Sequence, residues 1–225
     1  MARTSEEKKE MIIMNFVSLV QQHGISRVTL NDVAEKSGLT KSALYYYFES
    51  KEALLIEGFE HFNKKIAEKL APLIENAKTP KEILFIYCDF QFKVFFGGYE
   101  EFKPLMEIST EVFFEIQKYM FNSPDIAKKI INHRDTELSW LNSVIAEYIG
   151  KDPGDERTKK ITLMFVGFLH SFVTLSCNIT KQAQALSSYS IISDFPWRID
   201  NIDNTDIFKF LIGGLDNLRN TLFEK

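Results

Sequence analysis

Two helix starts lie eleven residues apart in this chain, and they constrain its fold more than any other feature. Thr29 is followed three residues later by Asp32, the capping-box pattern of a helix N-terminus. Gly38 ends that helix, and Thr40 begins the next one after a single intervening residue. Two short helices joined by so tight a turn are expected to pack at a steep angle, as in a helix-turn-helix unit.

Further helix starts along the chain predict an all-α fold. The sequence has 10 Gly and 6 Pro in 225 residues, which are too few turn-forming residues for the many turns of an all-β protein. Several apolar segments follow a capping residue, namely Thr4, Ser50, Thr79 and Ser123. We expect a three-helix N-terminal domain over residues 1–50 and a helical C-terminal domain over residues 51–225. A fourth helix from Ser50 to about Asn76 links the two.

Composition indicates a protein of a reducing cytoplasm with no metal or cofactor. Cys88 and Cys177 cannot form a disulfide framework, and no Cys/His cluster has zinc-ligand spacing. The first ten residues are charged and lack the apolar core of a signal peptide. Between Lys160 and Lys181 lie 20 uncharged residues, but seven of them are polar. A helix buried on two faces is therefore favoured over a membrane span.

The end of the sequence predicts a dimer. Apolar residues from Phe208 to Leu222 are spaced 3, 4, 3 and 4, which is the pattern of a helix-packing seam. Together with the preceding uncharged segment they form more apolar surface than a small monomer hides, so we expect a four-helix bundle across a twofold axis. The alternative is that both helices pack only within the monomer. The expected interface residues are Phe165, Phe168, Phe172, Phe208, Leu211, Leu215, Leu218 and Leu222.

The second helix of the predicted helix-turn-helix has the composition of a DNA-recognition helix. Such helices enter the major groove N-terminus first, which would bring Thr40, Lys41 and Ser42 to base edges and phosphates. Residues 1–65 hold nine basic and nine acidic side chains and are neutral overall, yet Lys36 to Phe48 contains two lysines and no acid. We therefore expect a local positive surface and a moderate salt dependence of DNA binding.

The segment from about Glu6 to Leu70 resembles the DNA-binding domain of the tetracycline-repressor (TetR) family of bacterial transcription regulators. The matching residues are Thr29, Val33-Ala34, Ser37-Gly38-Leu39, Lys41, Leu44-Tyr45, Tyr47-Phe48 and Lys51-Glu52-Ala53-Leu54. The resemblance implies a homodimer, more often a repressor than an activator, that binds double-stranded operator DNA and responds to a small effector.

The resemblance also assigns roles to single residues. It makes Thr29 a phosphate-binding cap and Lys51 a phosphate clamp. Arg3 contacts DNA or is a solvated terminal arginine. Tyr47 is favoured as core over DNA contact. The groove is contacted by Thr40, Lys41, Ser42, Ala43, Tyr45 and Tyr46, and the domain core contains Val33, Leu44 and Phe48.

The C-terminal domain implied by the resemblance would bind the effector and change the separation of the two recognition helices, with the fourth helix as lever. The chain has 20 Phe, most of them beyond residue 80, which favours an apolar or aromatic effector. At each position ordinary core packing is the alternative, including for His170. The candidate pocket residues are Tyr87, Phe90, Phe95, Met106, Phe113, Trp140, Met164 and His170.

Two other classes of protein are weighed against a regulator. His133-Arg134-Asp135 resembles a kinase catalytic triplet, but Trp140 stands where the kinase motif has Asn, and there is no Gly-rich phosphate loop. Nucleophile elbows, zinc-protease motifs and Walker loops are also absent from the sequence, so an enzyme is not expected. A helical interaction module with a decayed DNA-binding unit would keep the dimer seam but bind no operator.

Overall fold

The structure, a computed structural model, describes residues 4–95, 98–169 and 209–217, and over these residues it contains helices and no strand. The predicted all-α fold is confirmed. The helices are α1 (Ser5–His23), α2 (Leu30–Lys36), α3 (Lys41–Tyr47), α4 (Lys51–Ile74), α5 (Pro80–Phe95), α6 (Lys103–Asn122), α7 (Pro124–Ile149), α8 (residues 156–169) and α9 (residues 209–217).

The structure confirms the predicted helix starts at Thr4, Thr29, Thr40, Ser50 and Thr79, each of which is capped by a local hydrogen bond. Thr4 and Glu7 form a capping box at α1, and Thr29 and Asp32 form one at α2. The hydroxyl of Thr40 accepts from the Ala43 N–H at the start of α3. At α4 and α5 the caps are Ser50, which accepts from Ala53 N, and Thr79, which accepts from Glu82 N.

By density of contacts, the described residues form two compact units. The first contains α1 to α3, α4 as far as Ala71, and Tyr99–Asn132, which includes α6. The second contains the end of α4 from Pro72, α5, and the described residues from His133 onward. The predicted boundary at residue 50 separates two functions, DNA binding and effector binding, and not two densely packed units. It therefore stays a prediction.

In the first unit, one face of α1 forms the core beneath the short helices. Ile12, Phe16 and Val20 are buried, and α1 contacts both α2 and α6. Helix α4 approaches α1 closely at Gly58, where a Cβ would lie 3.5 Å from Cγ2 of Ile13. This close approach holds the start of α4 against the three N-terminal helices.

In the second unit, α5 contributes much of the core. Tyr87, Phe90 and Phe92 are almost fully buried. Helix α8 has one buried face, which includes Phe165 and Leu169, and one exposed face. None of the helices in the described ranges has the length and hydropathy needed to cross a membrane. The later part of the uncharged segment, from residue 170, lies outside those ranges.

Candidate nucleic-acid interface and effector domain

The short helices α2 and α3 are held by a small apolar core. Val33 and Leu44 have no exposed surface, and Phe48 is 1% exposed, so the prediction that these three are core is confirmed. Gly38 lies in the turn between the helices with φ of +65°, a left-handed conformation that suits glycine. Tyr47 is half-buried, and its ring contacts Tyr46 edge-on at 5.2 Å.

One face of α3 presents the residues predicted to contact the DNA groove. Thr40, Lys41 and Ser42 are exposed on the first turn, which contains no acidic residue. Tyr45 and Tyr46 follow on the next turn and are 44% and 81% exposed. The Lys41 ammonium lies 5.8 Å from the centroid of the Tyr45 ring. Ala43, the remaining candidate on this helix, is half-buried.

Thr29 is exposed at the N-terminus of α2, but its hydroxyl is engaged within the cap. It donates to Oδ2 of Asp32 at 2.7 Å and accepts from the Asp32 N–H at 3.3 Å. The donated hydrogen bond, together with the Thr29 N–H, lowers the pKa of Asp32. A phosphate contact by the hydroxyl would therefore compete with an ionised carboxylate at the same helix end.

Lys51 has a structural partner that the sequence does not indicate. Its ammonium donates to the backbone carbonyl of Ile25, in the turn between α1 and α2, and the side chain is half-buried. This bond fastens the first turn of α4 to the turn that leads from α1 into α2. Two of the three ammonium donors remain for a phosphate oxygen. Lys51 is thus both a positioning residue and a candidate phosphate contact.

Lys36, counted in the local positive surface, is directed toward α1. Its ammonium donates to the Ser18 hydroxyl at 2.9 Å. Beside it, Asn15 donates to the Ser37 hydroxyl at 3.1 Å. Both bonds tie the end of α2 to α1, which leaves Lys41 as the lysine of this segment that extends from the recognition helix.

In the second unit, two of the predicted effector residues, Tyr87 and Trp140, meet in a partly buried cluster with an acidic side chain. The Tyr87 hydroxyl donates to Oε1 of Glu137 at 2.8 Å, and the rings of Tyr87 and Trp140 lie 5.8 Å apart. Burial, and next the Glu137 carboxylate, raise the pKa of Tyr87 well above its usual value. Phe90 is buried on the same helix as Tyr87, and Phe95 is half-buried near its end.

The other predicted pocket residues are not brought into this cluster. Met106 belongs to the first unit, and Met164 is 62% exposed on α8. His170 and the side chain of Phe113 lie outside the described part of the chain. A cleft of about 460 Å³ in the second unit is lined by other residues: Leu73, Asn76, Ala77, Thr79, Lys81, Glu82, Phe85 and Ile86.

Helices α8 and α9 expose several apolar side chains, most of which are not among the predicted interface residues. Phe165, Leu211 and Leu215 are buried within the unit, whereas Phe168 is exposed. The sequence does not assign the remaining exposed apolar side chains to the interface, because an almost uniformly apolar helix does not indicate which of its faces points outward. These are Leu163, Met164 and Phe210. Phe172, Phe208, Leu218 and Leu222 fall outside the residues described.

Comparison with known proteins points to one family. The family model for bacterial regulatory proteins of the tetR family matches residues 17–57. The uncharacterized HTH-type transcriptional regulator YerO of Bacillus subtilis (strain 168) is 26% identical over 229 residues, covering 94% of this chain and 74% of the relative. The probable acrEF/envCD operon repressor of Escherichia coli (strain K12) is 40% identical over 55 residues, covering 24% of this chain and 23% of the relative.

The fold is also similar to that of a solved regulator. FadR from Bacillus subtilis, in complex with stearoyl-CoA, has a TM-score of 0.63 and 16% identity, covering 92% of this chain and 96% of that chain. The matched segment holds the helix-turn-helix described above, and the relatives are transcriptional regulators rather than enzymes. The chain is therefore a DNA-binding transcription regulator, and its helix-turn-helix matches the model of the tetR family of bacterial regulatory proteins.

Proposed function

We propose that the chain is a homodimeric repressor that binds operator DNA through α2 and α3 and is modulated by a small, largely apolar effector. The observation that carries the DNA-binding part is the exposed, acid-free first turn of α3, with Thr40, Lys41 and Ser42 side by side. An exposed helix N-terminus with hydroxyls and one lysine suits base edges and phosphates of the major groove. The similarity to an operon repressor supports repression.

Each protomer has few cations that can contact DNA. We therefore expect high affinity for the operator to require a dimer. Two half-sites one helical turn apart require recognition helices about 34 to 36 Å apart, and a dimer doubles the number of phosphate contacts. Members of the family act as dimers. The exposed apolar side chains Leu163, Met164, Phe168 and Phe210 support a second copy of this chain as the partner, because apolar surface of this kind is stabilised by burial.

The DNA-binding proposal is tested by fluorescence-anisotropy titration with labelled DNA from upstream of the chain's own gene, against a scrambled competitor at two salt concentrations. The Lys41→Ala variant is expected to bind about 1 to 3 kcal/mol more weakly if Lys41 contacts a base. The matched control is Lys103→Ala, an exposed lysine on α6. Equal affinity of wild type and Lys41→Ala, or a salt slope near zero, would contradict the proposed interface.

An apolar effector is supported by the buried aromatic residues of α5 and by the FadR structure, which contains stearoyl-CoA. We test acyl-CoA thioesters of increasing chain length for release of operator DNA in the same assay. Release that grows with chain length is expected for an apolar site, because each buried CH₂ adds about 0.8 kcal/mol. Equal effects of acetyl-CoA and stearoyl-CoA would contradict an apolar site. A regulator that binds operator DNA acts beside the chromosome, so the proposal places the chain in the cytoplasm.

A further inference from the structure

Charged side chains of α1 and α4 contact one another in the first unit, and we call this cluster of Lys9, Glu10, Glu57, His61 and Lys65 the α1–α4 joint. Lys9 of α1 pairs with Glu57 of α4 at 2.6 Å. Four residues further along α4, the imidazole of His61 follows, with Nε2 3.8 Å from Oε1 of Glu10. The same carboxylate oxygen of Glu10 is already paired with the ammonium of Lys65. These contacts lie next to the close approach of the two helices at Gly58.

The imidazole of His61 is the titratable group of this joint that has a buried nitrogen without a hydrogen bond. Its Nε2 is buried without a partner, and its side chain is 18% exposed. The ring of Phe62 contacts it edge-on at 5.8 Å. The charged groups whose fields act on the imidazole come from both helices and are Glu6 and Glu10 of α1 and Lys64 and Lys65 of α4.

We propose that His61 makes the α1–α4 joint sensitive to protons, so that acidification weakens the joint and lowers operator affinity. A protonated imidazole would place a second cation beside Lys65, and its N–H would point to an acceptor that is too distant and already paired. Since Lys51 of α4 is also bonded to Ile25, in the turn that leads from α1 into α2, we expect loosening of the joint to disturb the helix-turn-helix. The effect on DNA rests on the proposed operator binding, whereas the effect on stability does not.

The direction of the pH effect follows from the titration of the group. Burial, and next the charge of Lys65, lower the pKa of His61 below its usual 6.5. The folded chain thus favours the neutral imidazole, and this contribution to stability is complete above about pH 6.5 and is lost as the pH falls through the folded-state pKa. The hydrogen bond from Lys65 lowers the pKa of Glu10, which therefore stays ionised over this range.

The test compares the full-length wild type, His61→Gln and, as matched control, His23→Gln, which removes an exposed histidine at the end of α1. Urea unfolding at pH 7.5 and pH 5.5 is expected to show a smaller loss of stability for His61→Gln than for wild type and His23→Gln. Operator affinity, measured by anisotropy, is expected to fall several-fold in wild type on acidification and less in His61→Gln.

Two outcomes would overturn the inference. One is a His61→Gln variant that retains the wild-type pH dependence of stability. The other, which requires no folded variant, is an NMR titration of the wild-type chain in which the His61 ring protons titrate at or above the usual histidine pKa. A failure to bind DNA at either pH would overturn the operator proposal alone, and the unfolding and NMR measurements would still decide the role of His61.

Discussion

The rings of Phe168 on α8 and Phe210 on α9 stack with their centroids 5.2 Å apart and their planes inclined by 29°. Both side chains are nevertheless exposed, by 42% and 65%. The pair continues the exposed apolar face begun by Leu163 and Met164. Gly167 and Gly214, on the same two helices, have open space where a side chain would stand. A second copy of the chain could approach these backbones closely.

Replacing Phe210 by Ser is expected to convert the proposed dimer to a monomer. An aromatic ring at the centre of an interface contributes about 2 kcal/mol or more to association, and each dimer loses two rings. Sedimentation velocity at micromolar concentration measures the change. The matched control is Phe121→Ser, which removes an 88% exposed phenylalanine from α6 and should leave the dimer intact. A dimeric Phe210→Ser variant would place the interface elsewhere.

Replacing Tyr87 by Phe is expected to lower the free energy of unfolding by about 1 to 3 kcal/mol, because the Glu137 carboxylate loses the hydroxyl that donates to it. Urea unfolding measures the change, with the 81% exposed Tyr46→Phe as control. Absorbance at about pH 10.5 gives a second readout, since an ordinary tyrosine is largely ionised there and buried Tyr87 is not. The absorbance change at this pH should therefore be the same in wild type and in Tyr87→Phe. A smaller change in Tyr87→Phe would show that Tyr87 is accessible.

Replacing Lys51 by Met is expected to lower the free energy of unfolding by about 1 kcal/mol, because the part-buried hydrogen bond from Lys51 to the carbonyl of Ile25 is lost. Lys41→Met, on the exposed face of α3, should change stability by less than about 0.5 kcal/mol. Urea unfolding separates the two variants before any DNA is added. If both variants are as stable as wild type, the bond to Ile25 does not hold α4, and Lys51 is left with the phosphate role alone.

Two glycines are expected to respond in opposite directions to replacement by Ala. Gly38→Ala forces a side chain into φ of +65° and should cost about 1 kcal/mol, although nothing lies within 4 Å of the added Cβ. Gly58→Ala meets Cγ2 of Ile13 at 3.5 Å, an ordinary contact, and gains about 0.5 to 1 kcal/mol from reduced backbone entropy within a helix. Thermal unfolding measures both. A destabilised Gly58→Ala variant would mean that α1 and α4 cannot accept even a methyl group.

The sequence alone determined the helix starts, the helix-turn-helix and its core. Caps such as Thr29 with Asp32 and Thr40 with Ala43 join residues three apart, so a short stretch of sequence contains all the atoms involved. The resemblance to the TetR family assigned Val33, Leu44 and Phe48 to the core, and all three are buried in the structure. The same local information identified the acid-free turn at Lys41 as the candidate DNA contact.

Tertiary structure decided which faces and partners those helices use. The apolar α8 could have turned either side outward, and packing within the second unit buries Phe165 and leaves Phe168 exposed. The bonds from Lys51 to Ile25 and from Tyr87 to Glu137 join residues 26 and 50 positions apart. Such contacts form only when distant helices meet, and their free energy depends on the burial and alignment of both partners. No pattern of spacing along the chain contains that information.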